Sequence, residues 1–333
     1  MRRKTRPIGW LKFQWLVSFG QNPVHSAVSI RLEMLQVARL APKLLGESTE
    51  LVASFLRRQQ NDDGGFKDRM SKSDLYYTVF GVEGLLALQA ELPVTRIASY
   101  LKSFGSGEGL DFVHLCCLAR AWSAIAGRSS TDSCAADFRE RILRRIEQFR
   151  SKDGGYSPVT GVECGTAYGC FLALGAYQDL KAQLPEPLRL AQSLKFLETA
   201  DSAWTNERVA VAPAAQRPKV GSTNATAAAV TVLRNLSLPV NSSVGGWLLA
   251  RCHSAGGFLA APNAPMPDLL STATALHALA GMQASFEQVK EKCLDFIDTL
   301  WRNEGAFHGH WGDEHLDCEY TFYGLLALGH LSF

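Results

Sequence analysis

Two stretches near opposite ends of the chain carry almost the same phrase. Asp74-Leu75-Tyr76-Tyr77-Thr78-Val79-Phe80-Gly81 and Asp317-Cys318-Glu319-Tyr320-Thr321-Phe322-Tyr323-Gly324 share an Asp, a Tyr-Thr pair three residues on, and a Gly four past that Tyr. Each runs into an apolar segment ending Leu-Leu-Ala-Leu and follows a turn, Gly64-Gly65-Phe66 in one case and Gly305-Ala306-Phe307 in the other. The turn recurs at Gly154-Gly155-Tyr156 and Gly256-Gly257-Phe258. An internal repeat of this kind constrains the fold more than any single motif, because one unit can bury its apolar face only against the next.

The unit reads as an outer helix, a glycine-rich turn and an inner helix. Helical spacing of apolar residues predicts a first helix over 24–42 and a second over 49–60, then a turn, then an inner helix from Asp74 to about residue 90 with Asp74 as its N-cap. Successive turns fall roughly every 45 to 55 residues, the length of a two-helix repeat with its loops. Inner helices are apolar or small throughout, as burial on all sides requires, and outer ones carry the Arg, Lys and Glu. No stretch alternates long enough for a strand. The expected fold is all-α, with a basic, aromatic arm over 1–23 and a single domain over 24–333.

The 333 residues are 47% hydrophobic, enough for one large core, and the net charge of +2 argues against nucleic acid as a partner. The N-terminal apolar run is too short and interrupted for a transmembrane segment. The eight cysteines have no disulfide-scaffold spacing, and a reducing, cytoplasmic setting is expected.

The lead-in Gln59-Gln60-Asn61-Asp62-Asp63-Gly64-Gly65-Phe66, followed by an Asp-led inner helix, resembles the prenyltransferase and squalene-cyclase repeat, in particular that of protein prenyltransferase β subunits. The resemblance implies an α/α toroid of about six helix pairs around a central cavity. It also implies an isoprenoid or other lipid substrate, a zinc ion and a helical protein partner. That family's zinc ligands are an Asp-x-Cys pair and a His in the next inner helix. Here Asp268 matches the Asp, but Leu270 stands at the Cys position and Tyr320 at the His position. The family's basic pair ahead of the Asp is absent from 260–266, and Glu163 replaces a rim His.

Three classes of function follow. The cluster of His, Cys and carboxylates over 308–319 offers zinc ligands, with Asp268, His310, Asp317 and Cys318 the expected set for a metal-dependent transferase. Against it, Asp317 reads equally as an N-cap and Cys318 as core packing. The cyclase branch of the superfamily places its catalytic acid in a phrase that Asp317 to Thr321 resembles, which makes Glu319, with Tyr320 beside it, the candidate proton donor. A binding or scaffold protein is the third class, with the basic helix around Arg139, Arg141, Arg144 and Arg145 as a docking face. Tyr77, His114, Glu163 and Tyr168 are expected to share a repeat position lining the substrate cavity.

Overall fold

The computed structural model describes residues 28–128, 136–206 and 220–333; the arm expected over 1–23 lies outside them. Along the described residues run α1 (Ile30–Ala38), α2 (Pro42–Leu45), α3 (Ser48–Arg58), α4 (Leu75–Ala87), α5 (Val94–Lys102), α6 (Phe112–Ile125) and α7 (Ala136–Ile146). Then come α8 (Ala167–Asp179), α9 (Pro187–Phe196), α10 (Thr223–Asn235), α11 (Ser243–Leu249), α12 (Leu269–Gly281), α13 (Lys290–Leu300) and α14 (Cys318–Leu331). Six inner helices, α4, α6, α8, α10, α12 and α14, each pack on the next, and α14 packs back on α4, closing the ring. The outer helices α3, α5, α7, α9, α11 and α13 clothe them.

The inner helices run parallel. Near their N-termini His114 reaches Asp74 and Tyr76 reaches Glu319, whereas near their C-termini Gln178 donates to Asn235 and His277 meets His330. The recurring phrase explains how each helix starts. Asp74, Asp111, Asp268 and Asp317 are N-caps whose carboxylates accept from backbone N–H groups of the first turn. Four residues on, Thr78 and Thr272 donate to the carbonyl of their own cap and accept from the N–H of the turn aromatic, Phe66 or Phe258. Thr321 makes the same bond to its cap carbonyl. The Thr thus locks turn to helix.

The aromatic then lies flat on the helix where the glycine falls: a Cβ at Gly81 would meet Phe66 at 2.1 Å, and one at Gly324 would meet Phe307 at 2.5 Å. Phe66, Tyr156, Phe258 and Phe307 are all buried, as the repeat predicts. Three hairpins, each pairing two residues with two, flank the turns: Phe66–Lys67 with Ser73–Asp74, Phe258–Leu259 with Pro267–Asp268, and Trp301–Arg302 with Ala306–Phe307. They are too short to leave an alternating pattern in the sequence.

The helix expected over 24–42 differs most. It begins at Ile30, breaks after Ala38 ahead of Pro42, and is not an outer helix. Instead α1 packs on α4, α8 and α14 and closes the C-terminal end of the ring. Its Arg31 bridges two buried carboxylates, Glu83 at 3.3 Å and Asp179 at 3.2 Å. Its Glu33 takes Arg234 at 3.1 Å. Among the described residues no helix is long and apolar enough to cross a membrane.

Candidate active site

Counting from each N-cap, most residues two, six and nine positions on line a central cavity and form three tiers. The middle tier, Phe80, Cys117, Leu172, Ala228, Thr274 and Tyr323, lines a central cavity of about 400 Å³. In the lowest tier Arg120, Gly175, Thr231, His277 and Leu326 line it, above a floor made by Ile30, Arg31 and Met34 of α1. At the mouth Tyr76, Tyr168, Asn224 and Leu270 line it. Val113 and Glu319 hold the same position in their helices, and Glu319, the one carboxylate among the six, meets the mouth through Tyr76.

Glu319 Oε1 accepts from the Tyr76 hydroxyl at 2.6 Å. Burial in these apolar surroundings pushes the Glu319 carboxyl up to about 7, against the opposing pull of the Tyr76 bond. Burial raises the Tyr76 phenol far above its ordinary value, so Tyr76 remains a donor. Tyr76 stacks edge-on to Phe80, and Phe80 in turn lies 5.4 Å from Tyr323, so the acid looks down on an aromatic wall.

Outside the mouth tier the rim is a set of paired charges. Arg69 crosses from the first repeat to the last, donating to Asp317 at 3.0 Å and Asp313 at 2.8 Å, and its guanidinium lies 5.4 Å over the Tyr320 ring. Burial outweighs Arg69 at Asp317 and raises its carboxyl. At Asp313 burial works the same way, but the His315 backbone N–H and Arg69 prevail and hold it low. His114 is gripped by Asp74 at 3.1 Å and Asp111 at 2.9 Å, which lift the imidazole to about 9 despite partial burial.

The expected zinc ligands do not form a ligand set. Cys318 is wholly buried in the core, where burial holds its thiol protonated, and a metal takes the thiolate. Asp317 is occupied by Arg69 and the Tyr320 N–H. Asp268 accepts from both the N–H and the hydroxyl of Ser271, and His310 Nδ1 accepts from Gly312. Among the described residues no group of three or more His, Cys, Asp and Glu stands close enough to hold an ion. The N-cap reading of Asp317 and the packing reading of Cys318 describe what is there.

Of the four residues expected to line the cavity, Tyr168 does so. Tyr77 and His114 sit one residue later in their helices than the mouth tier and turn toward the rim, and Glu163 lies exposed before α8, paired with Lys152. Tyr77 and His114 thus share a position with each other but not with Tyr168 or Glu163. Tyr320 likewise faces Arg69 and Gly309, not the cavity. On the basic helix, Arg141 pairs with Asp137 and Arg145 with Glu108. Tyr76, Arg120 and Asp179 escaped the sequence reading. A lone charge inside an apolar helix, as in Leu118-Ala119-Arg120-Ala121-Trp122, was the available signal for the second.

The profile of the prenyltransferase alpha-alpha toroid domain matches residues 32–115 and 217–331, more than half of the chain. No curated protein sequence matches it. Among solved structures, a variant of the type II terpene cyclase MstE from Scytonema, in complex with its substrate geranylgeranyl dihydroxybenzoate, superimposes with a TM-score of 0.54. It is 13% identical over 88% of this chain and 98% of that one. An α-1,6-mannanase, GH76A of Salegentibacter sp. HEL1_6, gives 0.60 at 12% identity over 86% of this chain and 98% of that one. Candida albicans protein geranylgeranyltransferase-I gives 0.46 at 15% identity over 90% and 82%. At these identities the likeness is one of fold.

Proposed function

Since the chain belongs to the prenyltransferase alpha-alpha toroid domain family, we propose that it handles an isoprenoid chain in the central cavity and cyclises it by acid initiation, with Glu319 as the proton donor. Fold alone does not carry this. What carries it is a carboxyl lifted to about 7 and hydrogen-bonded to Tyr76, which lines the mouth of a mostly apolar cavity. The other raised carboxyl, Asp179 at about 6, lies deep in the cavity and is held by Arg31. A carbohydrate cleft of the same fold needs many polar groups around the substrate, whereas Ile30, Val79, Phe80, Phe171, Leu172 and Leu326 supply hydrocarbon and aromatic surface. A transferase reading asks the rim to hold a diphosphate, yet its cations Arg69 and His114 are already paired with carboxylates.

The steps balance without a further reactant. The protonated Glu319 gives its proton to the CH carbon of the chain's terminal (CH3)2C=CH group, and the π pair becomes the new C–H bond. The adjacent carbon becomes cationic. The next double bond attacks it, forming a C–C bond and moving the charge along the chain. Loss of a proton beside the last cation restores an alkene, and the Glu319 carboxylate regains a proton. Product and substrate have the same mass. A carboxyl near 7 keeps a substantial protonated fraction at neutral pH, where an ordinary carboxyl keeps almost none, and a donor at its working pH requires this. Tyr76 holds it in place, and the faces of Phe80 and Tyr323 favour the passing cation.

The test is product analysis after incubation with geranylgeranyl dihydroxybenzoate and with geranylgeraniol. A cyclic isomer of unchanged mass from the wild type, absent with Glu319→Gln, supports the reading. Prenylated acceptor, or no product from either protein, overturns it.

A further inference from the structure

Resting on the reading of the cavity as an isoprenoid site, the structure assigns a head-group pocket to its lowest tier: we propose that Arg120 binds a carboxylate carried at the deep end of the substrate chain. Arg120 lines the cavity from the middle of α6, in a helix otherwise apolar on this face. Its Nε is buried and has no hydrogen-bond partner, and the hydrogen-bond contact its guanidinium makes among the described residues is with the Met34 sulfur at 3.9 Å. Among the described residues it forms no ion pair. Of the nearby carboxylates, Glu83 goes to Arg31, and Asp179, which also lines the cavity, hydrogen-bonds Arg31 while feeling the charge of Arg120 without bonding it.

A guanidinium presents its donors as a planar fork, and a carboxylate fits that fork with two parallel bonds. Most of the cavity surface is hydrocarbon and aromatic, with Arg31, Asp179 and His277 also lining it, so the group that matches the fork is expected to arrive on an apolar chain. Arg120 lies nine residues past its N-cap and Glu319 two past its own. At the helical rise the two tiers are about 10 Å apart along the ring axis. A chain anchored by its head at Arg120 therefore lays its distal double bonds beside the acid, and the anchor sets which alkene is protonated.

The experiment is calorimetric titration of the full chain with geranylgeranoic acid and with geranylgeraniol, which share the chain and differ in the head. Palmitic acid serves as a third probe. The acid is expected to bind wild type about ten- to hundredfold more tightly than the alcohol. Arg120→Gln is expected to remove that preference and leave the alcohol's affinity unchanged, while Arg120→Lys keeps part of it. Palmitic acid binding with the same Arg120 dependence supports the head-group site and shows that the chain need not be isoprenoid. Equal affinity of wild type for acid and alcohol overturns the assignment while leaving the cavity reading intact. Binding of none of the three overturns both. If Arg120→Gln fails to fold, Arg120→Lys and the acid–alcohol comparison in the wild type still decide the matter.

Discussion

The Tyr76 hydroxyl donates to Glu319 Oε1 at 2.6 Å across the seam where the last repeat meets the first. The two residues hold the same position in their own helices, two past the N-cap, so the repeat places a phenol and a carboxylic acid face to face. The ring closure that brings α14 onto α4 is what makes the pair.

Glu319→Gln should lower turnover by about a hundredfold or more, the usual cost of removing a general acid, with substrate affinity kept. Its stability effect has a definite sign. The folded carboxyl binds its proton more tightly than the unfolded one, from an ordinary 4.5 up to about 7. The fold is therefore favoured at low pH and loses that advantage as pH rises through this window, by at most about 3 kcal/mol. Melting curves of wild type and variant should coincide near the lower limit and separate in the variant's favour above the upper one.

Catalysis should fall with rising pH as Glu319 ionises. The rate under saturating substrate is expected to decline with an apparent midpoint near the same value of about 7. In Tyr76→Phe that midpoint should move upward, because the lost bond stabilises the carboxylate form. A pH–rate profile of the two proteins checks both points.

Arg69→Met should destabilise the closing seam by about 2–3 kcal/mol, discounted because the arginine is partly exposed. It leaves Asp313 and the buried Asp317 facing each other unpaired. The loss should shrink as pH drops and the two carboxylates take up protons. Urea denaturation at two pH values measures it.

Gly81→Ala and Gly324→Ala should each cost about 1–3 kcal/mol, since the added methyl meets a buried aromatic ring. Gly109→Ala meets no neighbour within 4 Å, so any loss there reflects only its positive φ of 77°. Comparing the three by thermal melting separates packing from backbone strain.

The toroid was legible because its repeat is written in residues that act locally. Asp caps, turn glycines and the cap-bonded Thr appear in the sequence at fixed offsets, and each offset is a short-range hydrogen bond or contact. The site was less legible. Naming Tyr77 in place of Tyr76 is an error of one residue, yet one residue is a large rotation about a helix and moves a side chain from cavity to rim. Arg69 meets Asp317 from 248 residues away, a pairing no local pattern records. The dense polar loop over 308–319 suggested a metal because residue types alone do not reveal that Cys318 faces the core. Glu319 stands out in the sequence because the cyclase-like phrase points at it, but its bond to Tyr76 across the closing seam is written in no local pattern.

The most direct test of the central claim is incubation of the wild type with geranylgeranyl dihydroxybenzoate in D2O, followed by mass analysis of the product. Protonation of an alkene by Glu319 predicts a cyclic isomer carrying one non-exchangeable deuterium, with none formed by Glu319→Gln. A product without deuterium, or the same labelled product from the variant, would contradict it.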